Sequence, residues 1–192
     1  MDDMWLQEDL REAVKVLEKG GVLLYPTDTI WGLGCDALNE RAIAKVYKIK
    51  ERDPQKPCIV LMSDIDMLKE YVISIHPRVE TLLSLHERPL TIVYPEVEKI
   101  PDALRGPQGK VAIRVARDGF CRALIKAFGK PIVSTSANHA GKPHPNGFGE
   151  ISSQIIKKAD YVVKFRQSEH NTGLPSVVAT YNFKGHLEFL RS

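Results

Sequence analysis

No apolar run approaches the roughly 20 residues that a membrane-spanning helix needs, so no membrane segment is expected. The opening Met1-Asp2-Asp3 is acidic where a signal peptide is basic, and the expected location is therefore cytoplasmic. Only three cysteines occur, Cys35, Cys58 and Cys121, an odd number without a C-x-x-C pair. That pattern suggests neither a disulfide framework nor a zinc knuckle, and leaves buried free thiols as the expectation. The six histidines show no metal-ligand spacing and read mostly as surface residues, so no resident metal is expected. Four common signatures are also missing: G-x-x-x-x-G-K-[ST], G-x-G-x-x-G, H-E-x-x-H and G-x-S-x-G. A nucleotide bound by this chain must be held some other way.

The composition is that of an ordinary globular domain: 192 residues, 43% hydrophobic and 27% charged, long enough to bury one core. Residues 1–192 are read as a single domain with its core at about 8–191. Leu10, Ala13, Val14 and Leu17 recur at helical spacing and stop at Gly20-Gly21. Val22 to Tyr25 reads as a buried strand closed by Pro26, and Thr27 to Gly34 as a loop. Asn39 caps a helix to about Lys50 with Ile43, Val46 and Tyr47 inward, and Ser63-x-x-Asp66 suggests a capping box for a helix through Tyr71.

Pro77 opens another helix, and the segment containing Phe120, Leu124, Ile125 and Phe128 forms one more. Further strands are expected at 59–62, 90–94, 111–115, 131–134, 161–163, 176–181 and 187–190, with a helix holding Ile151, Ile155 and Ile156. Strands and helices interleave without strict alternation, which predicts an α/β fold on a mixed sheet.

Three groups of residues could carry chemistry. Lys45, Lys48, Lys50, Arg52 and Lys56, set against Glu51 and Asp53, leave +3 between residues 45 and 56, the formal charge of the whole chain. They are either a solvated helix end that suits the helix dipole or cations converging on a polyphosphate. Ser134-Thr135-Ser136-Ala137-Asn138 follows an apolar strand, where open α/β sheets place ligands, although local turn capping gives the same pattern. Arg114 interrupts the apolar Val111-Ala112-Ile113-Arg114-Val115. A buried arginine needs a carboxylate or phosphate, so it either pairs structurally or grips an anionic ligand.

Tyr25-Pro26-Thr27-Asp28-Thr29-x-Trp31-Gly32-Leu33-Gly34, Lys50-x-Arg52, Lys56-Pro57, Arg114 and Ser134-Thr135-Ser136-Ala137-Asn138-x-x-Gly141-Lys142-Pro143 together resemble the YrdC-type threonylcarbamoyl-AMP synthases, over nearly the whole chain. The resemblance implies an open twisted YrdC/RibB-like α/β fold with a basic concave face. It implies that ATP, L-threonine and bicarbonate become threonylcarbamoyl-adenylate and pyrophosphate, with Mg2+ arriving on ATP. Lys50 and Arg52 take the catalytic positions by this carry-over. Lys56, Ser136, Asn138, His144 and Arg191 join them at ATP, and Thr29, Arg114, Ser134 and Ser176 fall at threonine. The product would serve adenosine 37 of tRNA through the tRNA threonylcarbamoyl-transferase complex, and weak binding of tRNA or double-stranded RNA is a further expectation. The chain departs from the family pattern at Leu61, Lys110, His144, Val177, Ala116 and Glu87-Arg88-Pro89. The competing reading is an RNA-binding module using the same basic face.

Overall fold

The structure is a computed structural model that describes residues 2–169, 175–182 and 184–191; His170 lies outside them. Helix α1 (Asp2–Glu18) ends where Gly20 adopts φ 71° and its N–H turns back to the Leu17 carbonyl. Strands β1 (Leu23–Tyr25) and β2 (Gly32–Gly34) follow as an antiparallel pair. The expected loop over 27–34 therefore shortens, because its second half is a strand. Glycine makes that strand possible: a Cβ on Gly34 would lie 2.1 Å from the Val133 carbonyl oxygen and 2.9 Å from the Tyr25 ring.

Helix α2 (Glu40–Lys50) starts at Asn39, whose Oδ1 accepts from the Ala42 N–H at 3.1 Å, and stops at Glu51 in the left-handed region, φ 54°. After β3 (Ile59–Met62), helix α3 (Ile65–Lys69) is capped by Asp64, which accepts from the Met67 N–H at 2.9 Å. The Ser63-x-x-Asp66 box is not what forms: the cap lies one residue later and the helix ends before Tyr71. Next come α4 (Pro77–Leu85), β4 (Leu90–Tyr94), β5 (Val111–Val115), α5 (Gly119–Phe128) and β6 (Ile132–Ser136). The chain continues through α6 (Ser153–Lys158), which leaves Ile151 just outside, then β7 (Tyr161–Val162), β8 (Val177–Tyr181) and β9 (Leu187–Arg191).

The nine strands form one open mixed sheet in the order β7-β1-β2-β6-β3-β5-β4-β8-β9. Neighbours β1/β7, β3/β5 and β4/β8 are parallel and the remaining pairs antiparallel. Alternation of side chains splits the core in two. Val22, Leu24, Val60, Met62, Ile113 and Val133 pack with α2 on one face. Leu23, Tyr25, Leu61 and Ile132 pack with α1 and α5 on the other, against Ala13, Leu17, Phe120, Leu124 and Ile125. All three cysteines are buried free thiols. No helix among the described residues is long and apolar enough to cross a membrane.

Candidate functional site

Register brings distant residues onto one face. Gly32 pairs with Ser136, Ser134 with Ile59, Leu61 with Arg114, and Arg114 with Thr91. Paired residues, and residues two apart on one strand, share a face. Leu61 and Ile132 on that face lie under α1 and α5, whereas Ile59 and Ser134, one step along, line an open cleft. The helices cover one end of the face and leave its polar end open.

The cleft holds about 150 Å3 and is lined by Thr27, Thr29, Arg52, Arg114, Ser134, Ser136, His144, Ser176 and Arg191, with Ile30, Gly32, Ile59, Thr135 and Pro175. Three guanidiniums face it, and none of its lining residues is a carboxylate. Partial burial, and then the nearby Arg114, hold the Arg191 guanidinium below the usual arginine range. Partial burial, followed by Lys50 and Arg191, likewise keeps His144 below the ordinary imidazole value. Such a concentration of like charge favours an anionic ligand.

Arg114 is 4% exposed. Its Nη1 donates to Thr29 Oγ1 at 3.1 Å and its Nη2 lies 3.4 Å from Asp28 Oδ1. The arginine has a structural partner in Asp28 and also lines the cleft. Thr29 is fixed in turn by Thr27, whose Oγ1 lies 2.9 Å from Thr29 Oγ1 and accepts from the Thr29 and Ile30 N–H groups. Ser176 Oγ is 2.8 Å from Thr91 Oγ1, and Arg191 donates to the Ser176 carbonyl through Nε at 3.2 Å and Nη2 at 2.8 Å.

The basic cluster divides. Lys50 is 1% exposed, far from a solvated helix end, and its ammonium donates to the carbonyls of Ser136 and of Asn138, the latter at 2.7 Å. It staples the end of α2 to the loop after β6, and burial pushes it down from 10.5 to about 8. Arg52 faces the cleft, braced by the Lys56 carbonyl at 2.7 Å and the Pro57 carbonyl at 3.1 Å. The Lys56 side chain is exposed and outside the cleft lining. Asn138 lies one layer back, its Nδ2 donating to the Lys142 carbonyl at 2.6 Å, in a neighbouring cavity of about 290 Å3 that His144 also lines.

Thr135 belongs to the candidate segment 134–138, whereas the sequence alone does not single out Thr27 in the lining, nor Asp28 and Thr91 behind it. Thr27 and Asp28 stand inside the Pro-Thr-Asp-Thr segment, and Thr91 is a hydroxyl within an apolar strand, a signal of the same kind as Arg114. Among the described residues, no cluster of His, Cys, Asp or Glu is arranged to hold a metal.

Comparison with known proteins agrees with this geometry. The family model Sua5_yciO_yrdC, described as "Telomere recombination", matches residues 15–192. A threonylcarbamoyl-AMP synthase of Xanthomonas euvesicatoria pv. vesicatoria (strain 85-10) is 35% identical over 158 residues, 81% of this chain and 84% of the relative. The crystal structure of P. abyssi Sua5 complexed with L-threonine superposes with a TM-score of 0.86 at 27% identity, over 95% of this chain. This chain spans only about half of that longer protein, 53% of its length. The solution structure of MTH1692 from Methanobacterium thermoautotrophicum gives 0.71 at 33% identity, over 94% of this chain and 84% of that one. With a sheet, an arginine-lined cleft and a sequence match that run together over most of its length, the chain belongs to the Sua5/YciO/YrdC family.

Proposed function

We propose that this chain is a threonylcarbamoyl-AMP synthase, a nucleotidyltransferase that turns L-threonine, bicarbonate and ATP into L-threonylcarbamoyladenylate and pyrophosphate. The observation that carries the reading is the convergence of Arg52, Arg114 and Arg191 on a small hydroxyl-lined cleft. Its volume of about 150 Å3 suits an amino acid but falls below the ~300 Å3 of common ligand pockets, so most of a nucleotide must lie across the mouth.

In this reading Arg114 and Thr29 receive the threonine carboxylate, and Ser134 and Ser176 face its amine and hydroxyl. The amine takes up bicarbonate-derived CO2 as a carbamate. A carbamate oxygen then attacks the α-phosphorus of ATP, forming the new P–O bond as the bond to pyrophosphate breaks. Arg52 and Arg191 stabilise the phosphate charge, with Ser136, Asn138 and His144 beside them. Lys50 acts one step back by holding the Ser136–Asn138 backbone in place. Among the described residues no lining hydroxyl is hydrogen bonded to a histidine, which suits a reaction that needs no enzyme nucleophile.

The lining offers Mg2+ no carboxylate, so the ion is assigned no resident protein site and enters as the counter-ion of ATP. The RNA-binding alternative loses ground because no Phe, Tyr or Trp lines the cleft for base stacking. The product is expected to reach tRNA through a separate transferase complex.

The test is incubation with ATP, threonine and bicarbonate, reading pyrophosphate and the mass of the adenylate. Release should require both co-substrates, and equal release with ATP alone would overturn the assignment.

A further inference from the structure

We propose that Asp28 is a positioning residue for amino-acid recognition, holding the Arg114 guanidinium at the angle that turns the remaining Nη1 and Nη2 hydrogens toward a substrate carboxylate. The inference rests on the reading of the cleft as a threonine site. Arg114 sits on an apolar strand with its side chain 5% exposed, and a guanidinium so far from water needs a counter-charge. Asp28, with its side chain 15% exposed, is the only carboxylate within ion-pair distance among the described residues.

The manner of pairing matters more than its presence. An arginine neutralised structurally is commonly forked, two parallel N–H groups on two carboxylate oxygens at about 2.7 to 2.9 Å. Here a single contact of 3.4 Å joins Arg114 Nη2 to Asp28 Oδ1, while Asp28 Oδ2 and Arg114 Nε are both buried without partners. The next residue, Thr29, takes Nη1 through its hydroxyl. Two consecutive side chains of one short loop thus grip the guanidinium loosely from one side. That loop is tied to itself: Thr27 Oγ1 accepts from two of its backbone N–H groups and its hydroxyl donates to the Ile30 carbonyl at 2.7 Å. Asp28 is not part of the cleft lining, so it works through Arg114 and not on the substrate. Its unsatisfied oxygen is the kind of local cost that buried sites retain when geometry has a use.

The experiment measures threonine binding to the whole chain by calorimetry, together with separate KM values for threonine and ATP and the melting temperature. Asp28→Ala should weaken threonine binding by about tenfold or more, the loss expected when a charge-assisted contact loses its orientation. The turnover at saturating threonine and the KM for ATP should stay within about threefold of wild type. Asp28→Asn keeps an acceptor oxygen at the same reach and should restore threonine binding to within about threefold. If Asp28→Ala does not fold, Asp28→Ser, which admits water beside the guanidinium, carries the same expectation. A loss of threonine affinity below about threefold overturns the proposal, as does a parallel rise in the KM for ATP or an Asp28→Asn defect equal to that of Asp28→Ala. Wild-type protein that binds no threonine would instead overturn the functional reading beneath it.

Discussion

Replacing Lys50 separates what its charge does from what its bulk does. The side chain is 1% exposed and its ammonium bonds to the carbonyls of Ser136 and Asn138. Removing that donor leaves two acceptors short of a partner, at about 1 to 3 kcal/mol each where water cannot replace it. Against this stands the cost of burying the charge. A fall from 10.5 to about 8 corresponds to about 3 kcal/mol, which a neutral side chain recovers. Lys50→Met keeps the stem and loses the charge, so the two effects largely offset and stability should fall by no more than about 3 kcal/mol.

Lys50→Ala also empties the space of the stem and should cost about 2 to 5 kcal/mol more, as large-to-small core changes do. Both variants free the loop after β6, and turnover should drop by about two orders of magnitude in each, the scale of losing a preorganised electrostatic contact. Urea denaturation followed by circular dichroism gives the stabilities, and pyrophosphate release gives the rates. If Lys50→Ala unfolds within about 0.5 kcal/mol of wild type, the lysine is a solvated helix end and does not staple the loop.

Arg114→Leu should destabilise the fold by about 3 kcal/mol, because Asp28 is left buried without its cation. Adding Asp28→Asn should recover most of that loss in urea while threonine binding stays absent, and a fully stable single variant would refute the pairing. Gly34→Ala drives a methyl toward the Val133 carbonyl and should cost about 1 to 3 kcal/mol, read as a lower melting temperature. The depressed Lys50 has a signature in pH as well: between about 8 and 10.5 the unfolded chain binds a proton there that the folded chain does not, so stability from this group rises with pH across that window. The difference in unfolding free energy between wild type and Lys50→Met should therefore change across that window and stay flat below it.

Most helices were legible because apolar periodicity and caps coincide in them. Asn39 begins α2 and Pro77 begins α4 at the expected positions. Strand β2 escaped notice because Gly32-Leu33-Gly34 carries almost no side chains to alternate; what makes it a strand is the close approach of Tyr25 and Val133, which only the folded sheet supplies. The cap of α3 moved to Asp64 because two neighbouring residues could each fill that role and the backbone decides between them. Lys50 was more legible than it looked, since it continues the Ile43, Val46, Tyr47 stripe one turn further, and a lysine on an inward stripe is a buried lysine. Arg114 was found by the same logic on a strand. Its partner Asp28 is 86 positions away, and no local pattern links the two.

The cleft draws its walls from Thr27 at one extreme of the chain to Arg191 at the other, with contributions from β5 and β6 between them. No fragment shorter than residues 27–191 contains it, and it closes only once β8 has docked on β4 and β9 on β8. Pairings across such sequence distances form late, after the entropy of long loops has been lost. A ligand that needs the completed cleft therefore couples its affinity to global folding. A substrate that binds only the completed cleft raises the stability of every strand by the same amount, about 2.7 kcal/mol at a hundredfold excess over its dissociation constant, and a nascent chain cannot begin to bind until its last strand is in place.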